Sequence, residues 1–108
     1  MSDALSYMLQ RLSAAILAPL VLIHLGLILY AVEGGLSAAE ILARTRDNLI
    51  WPVLYTLFVL AVAVHAPLGL RNILREWLGW RGPLFDGLLA VFSLGLLAIG
   101  LRAVVAIS

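Results

Sequence analysis

The stretch LSAAILAPLVLIHLGLILYAV, residues 12–32, decides the fold. Apart from His24 it carries no ionisable side chain that lipid would exclude, and at about 20 residues it is long enough for a helix to cross a ~30 Å hydrocarbon core. It opens directly after Arg11 and exceeds the roughly 7–15 apolar residues of a secretory signal, so it reads as a permanent membrane helix over about Leu9–Val32. Two runs of the same kind follow, at about Trp51–Trp77 and Pro83–Ile107. Pro52 and Pro83 stand at the starts of these runs, where a missing N–H removes no helical hydrogen bond. The middle helix is about 40 Å long at ~1.5 Å per residue, more than the hydrocarbon core needs. Its Arg71–Trp77 end is therefore expected to protrude into the interface or to lie against another subunit.

Composition leads to the same class. The chain has 108 residues, 64% of them hydrophobic and only 12% charged, and its mean hydropathy is +1.11. That is about half the charge of an ordinary soluble domain. A water-facing surface cannot be coated with so few charges, which excludes a soluble globular enzyme and a disordered chain. The absence of cysteine excludes thiolate nucleophiles, cysteine-ligated zinc and an iron–sulfur cluster held by this chain alone. A net charge of +1 gives no nucleic-acid signal. The expected fold is an all-α integral membrane protein: three transmembrane helices and a short interfacial helix, an up-down-up bundle, one membrane-anchor domain over residues 1–108.

The connections fit this plan. Gly34-Gly35 ends the first helix. Ser37 and Glu40 have capping-box spacing and predict a short amphipathic helix over Ala38–Arg46, lying on the membrane surface. Gly79-Trp80-Arg81-Gly82 predicts a tight turn. Trp51, Trp77 and Trp80 fall near the predicted interfaces, where indole is favoured. Arg11, Arg71, Arg75 and Arg81 lie on one side and Arg44, Arg46 and Arg102 on the other, a bias that favours a cytoplasmic N-terminus in a bacterial inner membrane.

The polar residues inside the spans carry the chemistry. Intramembrane ionisable groups are costly and usually face a protein interior or a cofactor, and here there are two, His24 and His65. Counting from Arg11 and from Trp77 places them about 20 Å and 18 Å from the same membrane side, at matched depth in antiparallel helices. Both would then address one cofactor between the helices. Haem b suits them, because neutral imidazole is a strong axial ligand whose other nitrogen needs a hydrogen-bond partner. On the second span, His65, Gly69, Asn72 and Glu76 share one helical face. Gly69 would admit a flat macrocycle, Arg71 lies within reach of a carboxylate such as a haem propionate, and Pro67 should bend the helix and free a carbonyl. On the first span, Gln10, Ser13, Leu17 and His24 share a face; Arg11 points about 140° from His24, but its long side chain can bend toward a headgroup-level site. Gln10, Arg11 and Ser13 there suit the carbonyls of a quinone. Pro19 should kink this helix. On the third span, Ser93 and the Gly95/Gly100 pair suggest close helix packing, and Asp86 suits a helix start.

Two of these stretches resemble the cytochrome b membrane anchor subunits of succinate dehydrogenase (complex II) and quinol:fumarate reductase. Gln10-Arg11-Leu12-Ser13-Ala14 stands where that family typically has His-Arg-x-Ser-Gly. His65-Ala66-Pro67-Leu68-Gly69-Leu70-Arg71 matches its His-x-x-x-Gly-x-Arg, with Glu76 where an acidic residue often follows. The resemblance implies that His65 is a haem b axial ligand, with Arg71 and Arg11 as haem propionate or quinone-site partners. It implies a ubiquinone or menaquinone site bordered by Arg11 and Ser13, beside Gln10, which stands in place of the family's His. His24 resembles the first-helix ligand of two-haem anchors in the same family. The implied partners are a flavoprotein subunit, an iron–sulfur subunit, and a second anchor subunit or a second copy of this chain within the bilayer. The chain itself would do no succinate chemistry; it would pass electrons between the iron–sulfur subunit and the quinone pool. The rival readings are a haem-free structural anchor of the same complex, and a small transporter subunit using its histidines as a proton relay.

Overall fold

A computed structural model describes residues 3–108. Its helices are α1 (Asp3–Gly34), α2 (Ala38–Thr45), α3 (Ile50–Leu78) and α4 (Pro83–Ala106), and no strand occurs among the described residues. α1, α3 and α4 are each long and apolar enough to cross a membrane. The 47 Å long axis of the chain is set by these helices: the 29 residues of α3 alone reach about 43 Å at ~1.5 Å per residue.

α1 begins six residues before the expected span. Ala4, Leu5 and Met8 are good helix formers, and Asp3 in the first turn suits the positive end of the helix dipole. The helix therefore runs out past Arg11 instead of starting there. α2 keeps its predicted capping box in altered form. Ser37 Oγ accepts from the Glu40 N–H at 3.2 Å, while the hydroxyl donates to Glu40 Oε1 at 2.7 Å. Arg44 holds α2 to the end of α1 by donating to the Gly35 carbonyl at 2.7 Å and lying 5.7 Å from the Tyr30 ring centre. α3 stops at Gly79, whose φ of 69° is the left-handed conformation only glycine adopts freely.

α3 is the central helix. α1 packs along one side of it and α4 along another, with little contact between α1 and α4. Two local features let α4 close on α3. A Cβ at Gly100 would sit 2.5 Å from Val59 Cγ1, so only glycine permits this approach. Pro67 has no N–H for the carbonyl four residues back, Ala63, and Ser93 of α4 donates to that carbonyl at 2.6 Å. The predicted freed carbonyl thus becomes an interhelical bond. Gly95, by contrast, has open space where a Cβ would stand.

Among the described residues, no large side chain is fully buried within the chain. In water such a bundle would lack a core. In lipid the exposed Leu, Ile and Val faces have an apolar neighbour, and what holds the helices is close contact and a few polar bonds between them.

Candidate functional site

A ladder of polar contacts fixes the register of α1 on α3. Asp3 Oδ1 lies 3.8 Å from Arg75 Nη1. One step inward, Arg71 Nη1 donates to Ser6 Oγ at 3.5 Å. Ser13 Oγ then lies 3.3 Å from His65 Nδ1. Deepest along α1, His24 packs its ring against Phe58, 5.2 Å between centres, and against the edge of Tyr55 at 6.1 Å. Ser6, Ser13 and Leu17 are buried, so the predicted polar face of α1 is the face that packs on α3.

This register overturns the expectation of matched depth. His24 is eleven residues beyond Ser13, which places it about 16 Å of helix away from the level of His65. The two imidazoles cannot meet one metal. The matched depth came from taking Arg11 and Trp77 as markers of the same membrane surface. In the fold it is Asp3 that stands opposite Arg75, because α1 extends to meet the charged end of α3, and Arg11 lies two turns deeper.

His65 is half-buried. Among the described residues, Ser13, 5% exposed, is its one hydrogen-bond partner, at Nδ1, and Nε2 has none. One nitrogen oriented and one free is what an axial imidazole requires. His24 lacks this arrangement: its Nδ1 is buried with no hydrogen-bond partner. It lines two apolar cavities, about 330 Å³ with Tyr55, Phe58 and Val104 and about 190 Å³ with Leu27, Tyr30 and Arg44, with Ile41 of α2 bordering both.

The remaining predicted site residues separate. Gln10 reaches Gly69, where a Cβ would meet its Nε2 at 3.3 Å, so the space at Gly69 is taken by α1. The Gln10 Oε1 is buried without a partner. Arg71 is directed between α1 and α4, bonded to Ser6 and 3.9 Å from Asp86 Oδ1. It lines, with Leu9, Pro67, Leu68, Asp86 and Ser93, a cleft of about 360 Å³ between the three long helices. Arg71 is six residues from His65, about 120° around α3, so the cleft and the His65 ring lie on different sides of that helix. Arg11 is exposed, its guanidinium 5.9 Å from the Tyr7 ring centre, and does not join His65 or Ser13. Asn72 and Glu76 border a separate polar pocket with Arg75 and Arg81.

Sequence reasoning missed Ser6 and Asp3 as partners of the α3 arginines, and Tyr55 and Phe58 as the cage of His24. Ser6 was discoverable: it lies seven residues before Ser13, two helical turns on the same face. The aromatic cage had no signal in spacing, since it depends on the register.

Three helices long and apolar enough to cross a membrane, joined by a short amphipathic helix, define an integral membrane helical bundle. The family model described as succinate dehydrogenase/fumarate reductase transmembrane subunit matches residues 2–106. The chain belongs to that family, and is a membrane subunit of a dehydrogenase/reductase complex. No curated protein and no solved structure matches it.

Proposed function

We propose that this chain is the haem b-bearing anchor of a succinate:quinone oxidoreductase, placed between an iron–sulfur subunit and the membrane quinone pool. The observation that carries this reading is His65: half-buried in the bundle, held at Nδ1 by Ser13, and free at Nε2. Bound there, haem b would supply one-electron chemistry between the soluble redox centres and quinone. The chain's own task is to hold an imidazole at fixed depth and orientation and to exclude water around it with Leu17, Ala61 and Leu68, all buried.

Gln10 is the residue of the first motif best suited to a quinone carbonyl. Its buried amide has an unmet hydrogen-bonding atom, and it lies one turn from Ser13 toward the N-terminal end. Arg11 serves this reading from another face of α1, toward a neighbouring subunit. Arg71, tied to Ser6 and Asp86, holds the three helices together at that end. A haem on His24 would be a separate group, and with Nδ1 unpartnered no hydrogen bond among the described residues orients that nitrogen as Ser13 orients His65.

The N-terminal end of α1 and the α3–α4 turn share one side, as the Asp3–Arg75 pair requires. We place that side in the cytoplasm of a bacterium, facing the flavoprotein and iron–sulfur subunits. The test is affinity purification of the tagged chain from membranes. Flavoprotein and iron–sulfur subunits should co-purify, with a b-type absorption spectrum. The same subunits without that spectrum would leave the anchor and remove the haem; neither subunit would overturn the reading.

A further inference from the structure

We propose that Ser13 is a positioning residue that selects the tautomer of His65, and so makes Nε2 the nitrogen available to a metal. The inference deepens the haem reading and rests on it for its redox consequence, but its structural core stands without haem.

A serine hydroxyl has one proton and two lone pairs. Ser13 Oγ lies 3.0 Å from the Gln10 carbonyl oxygen, three residues back on its own helix. That carbonyl has no proton to give, so the Ser13 hydroxyl donates to it. Its proton is then spent, and toward His65 Nδ1, 3.3 Å away, Oγ offers only a lone pair. The contact is satisfied when Nδ1 carries the hydrogen and donates. In a neutral imidazole this leaves the lone pair on Nε2. Ser13 is 5% exposed, so water does not compete for either bond. The alternative tautomer would set two lone pairs against each other, or cost the Gln10 bond by turning the hydroxyl round.

Three groups on two helices thus act in series: the Gln10 carbonyl orients the Ser13 hydroxyl, the hydroxyl fixes the α3 imidazole, and the imidazole presents Nε2. The hydrogen bond at Nδ1 also strengthens Nε2 as an electron donor to a metal. It therefore favours ferric over ferrous iron and lowers the midpoint potential of a haem bound there. The serine of the first motif is accordingly used on the histidine across the helix interface rather than on quinone.

The test has two parts. The full chain, labelled with 15N-histidine in detergent and kept haem-free at mildly alkaline pH, contains two histidines, assigned through His24→Gln. Two-bond 1H–15N correlation should show His65 with protonated Nδ1 and bare Nε2. Ser13→Ala should convert this to a mixture dominated by the Nε2–H form of free imidazole, and Ser13→Thr, which keeps the hydroxyl, should restore the wild-type pattern. A wild-type His65 already in the Nε2–H form, or a pattern unchanged in Ser13→Ala, overturns the proposal. In the assembled complex, Ser13→Ala should move the haem midpoint potential to more positive values, and Ser13→Thr should return it. An unmoved potential with the tautomer shift present would overturn the redox consequence. Absence of b-type haem from the wild-type complex would sink the haem reading and leave the tautomer result standing.

Discussion

His65 and His24 are chemically identical and differ only in what touches their ring nitrogens. One has a buried hydroxyl at Nδ1; the other has an orphaned Nδ1 and two aromatic neighbours. The difference sorts their substitutions. His65→Ala should abolish or strongly deplete the b-type spectrum while the chain still inserts, and wild-type haem content in that variant would rule His65 out as a ligand. His24→Phe should leave the His65-dependent spectrum and haem stoichiometry unchanged, because about 16 Å of helix separates the two levels. It should not destabilise the bundle either, since it removes a buried unpaired nitrogen, which costs about 1–3 kcal/mol where it is left, and keeps an aromatic ring in the cage. Loss of a low-spin signal in His24→Phe would restore His24 as an iron ligand.

At the scale of elements, the α3–α4 contact depends on one glycine and one carbonyl. Gly100→Ala places a methyl against Val59 and should destabilise the chain by about 1–3 kcal/mol, read as a lowered thermal midpoint in detergent. Gly95→Ala meets open space and should change stability by less than about 1 kcal/mol. Ser93 and Pro67 make a sharper pair. Ser93→Ala leaves the Ala63 carbonyl unbonded and should cost about 1 kcal/mol. In a Pro67→Ala background the restored N–H satisfies that carbonyl within α3, and the cost of Ser93→Ala should fall to roughly half; equal costs in both backgrounds would show that Ser93 does not answer the proline.

The same elements show how much was legible in the sequence. Length and hydropathy locate every span, and Ser37, Glu40, Gly79 and Pro83 mark helix ends by local rules that hold wherever the helix goes. Pro67 announces its freed carbonyl for the same reason. The offset between α1 and α3 is different. It is set by Asp3–Arg75, Ser6–Arg71 and Ser13–His65 together, and no periodicity within one helix encodes a pairing between two. The shared face of Gln10, Ser13 and His24 was therefore readable, and the depth of His24 relative to His65 was not.

The whole molecule is a slender bundle, 47 × 23 × 23 Å, with α3 contacting both other long helices, and its helix register limits what one chain can coordinate. A low-spin bis-imidazole haem needs two histidines on opposite faces of one macrocycle. The chain has two, but the register sets them about 16 Å apart along the helices, so one chain offers one ligand at any one depth. For such a haem the second would have to come from another chain, which the scarcity of buried large side chains among the described residues independently leaves room for. Purified alone at high dilution in detergent and titrated with haemin, the chain should bind through His65 and give a high-spin, five-coordinate spectrum. The low-spin spectrum should appear only when a second anchor chain, or a second copy of this one at raised concentration, is present, and it should disappear again in His65→Ala. A low-spin, six-coordinate haem in the demonstrably monomeric chain would mean that α1 slides along α3 by about three turns, breaking the Ser13–His65 contact, and the register described here would have to be abandoned.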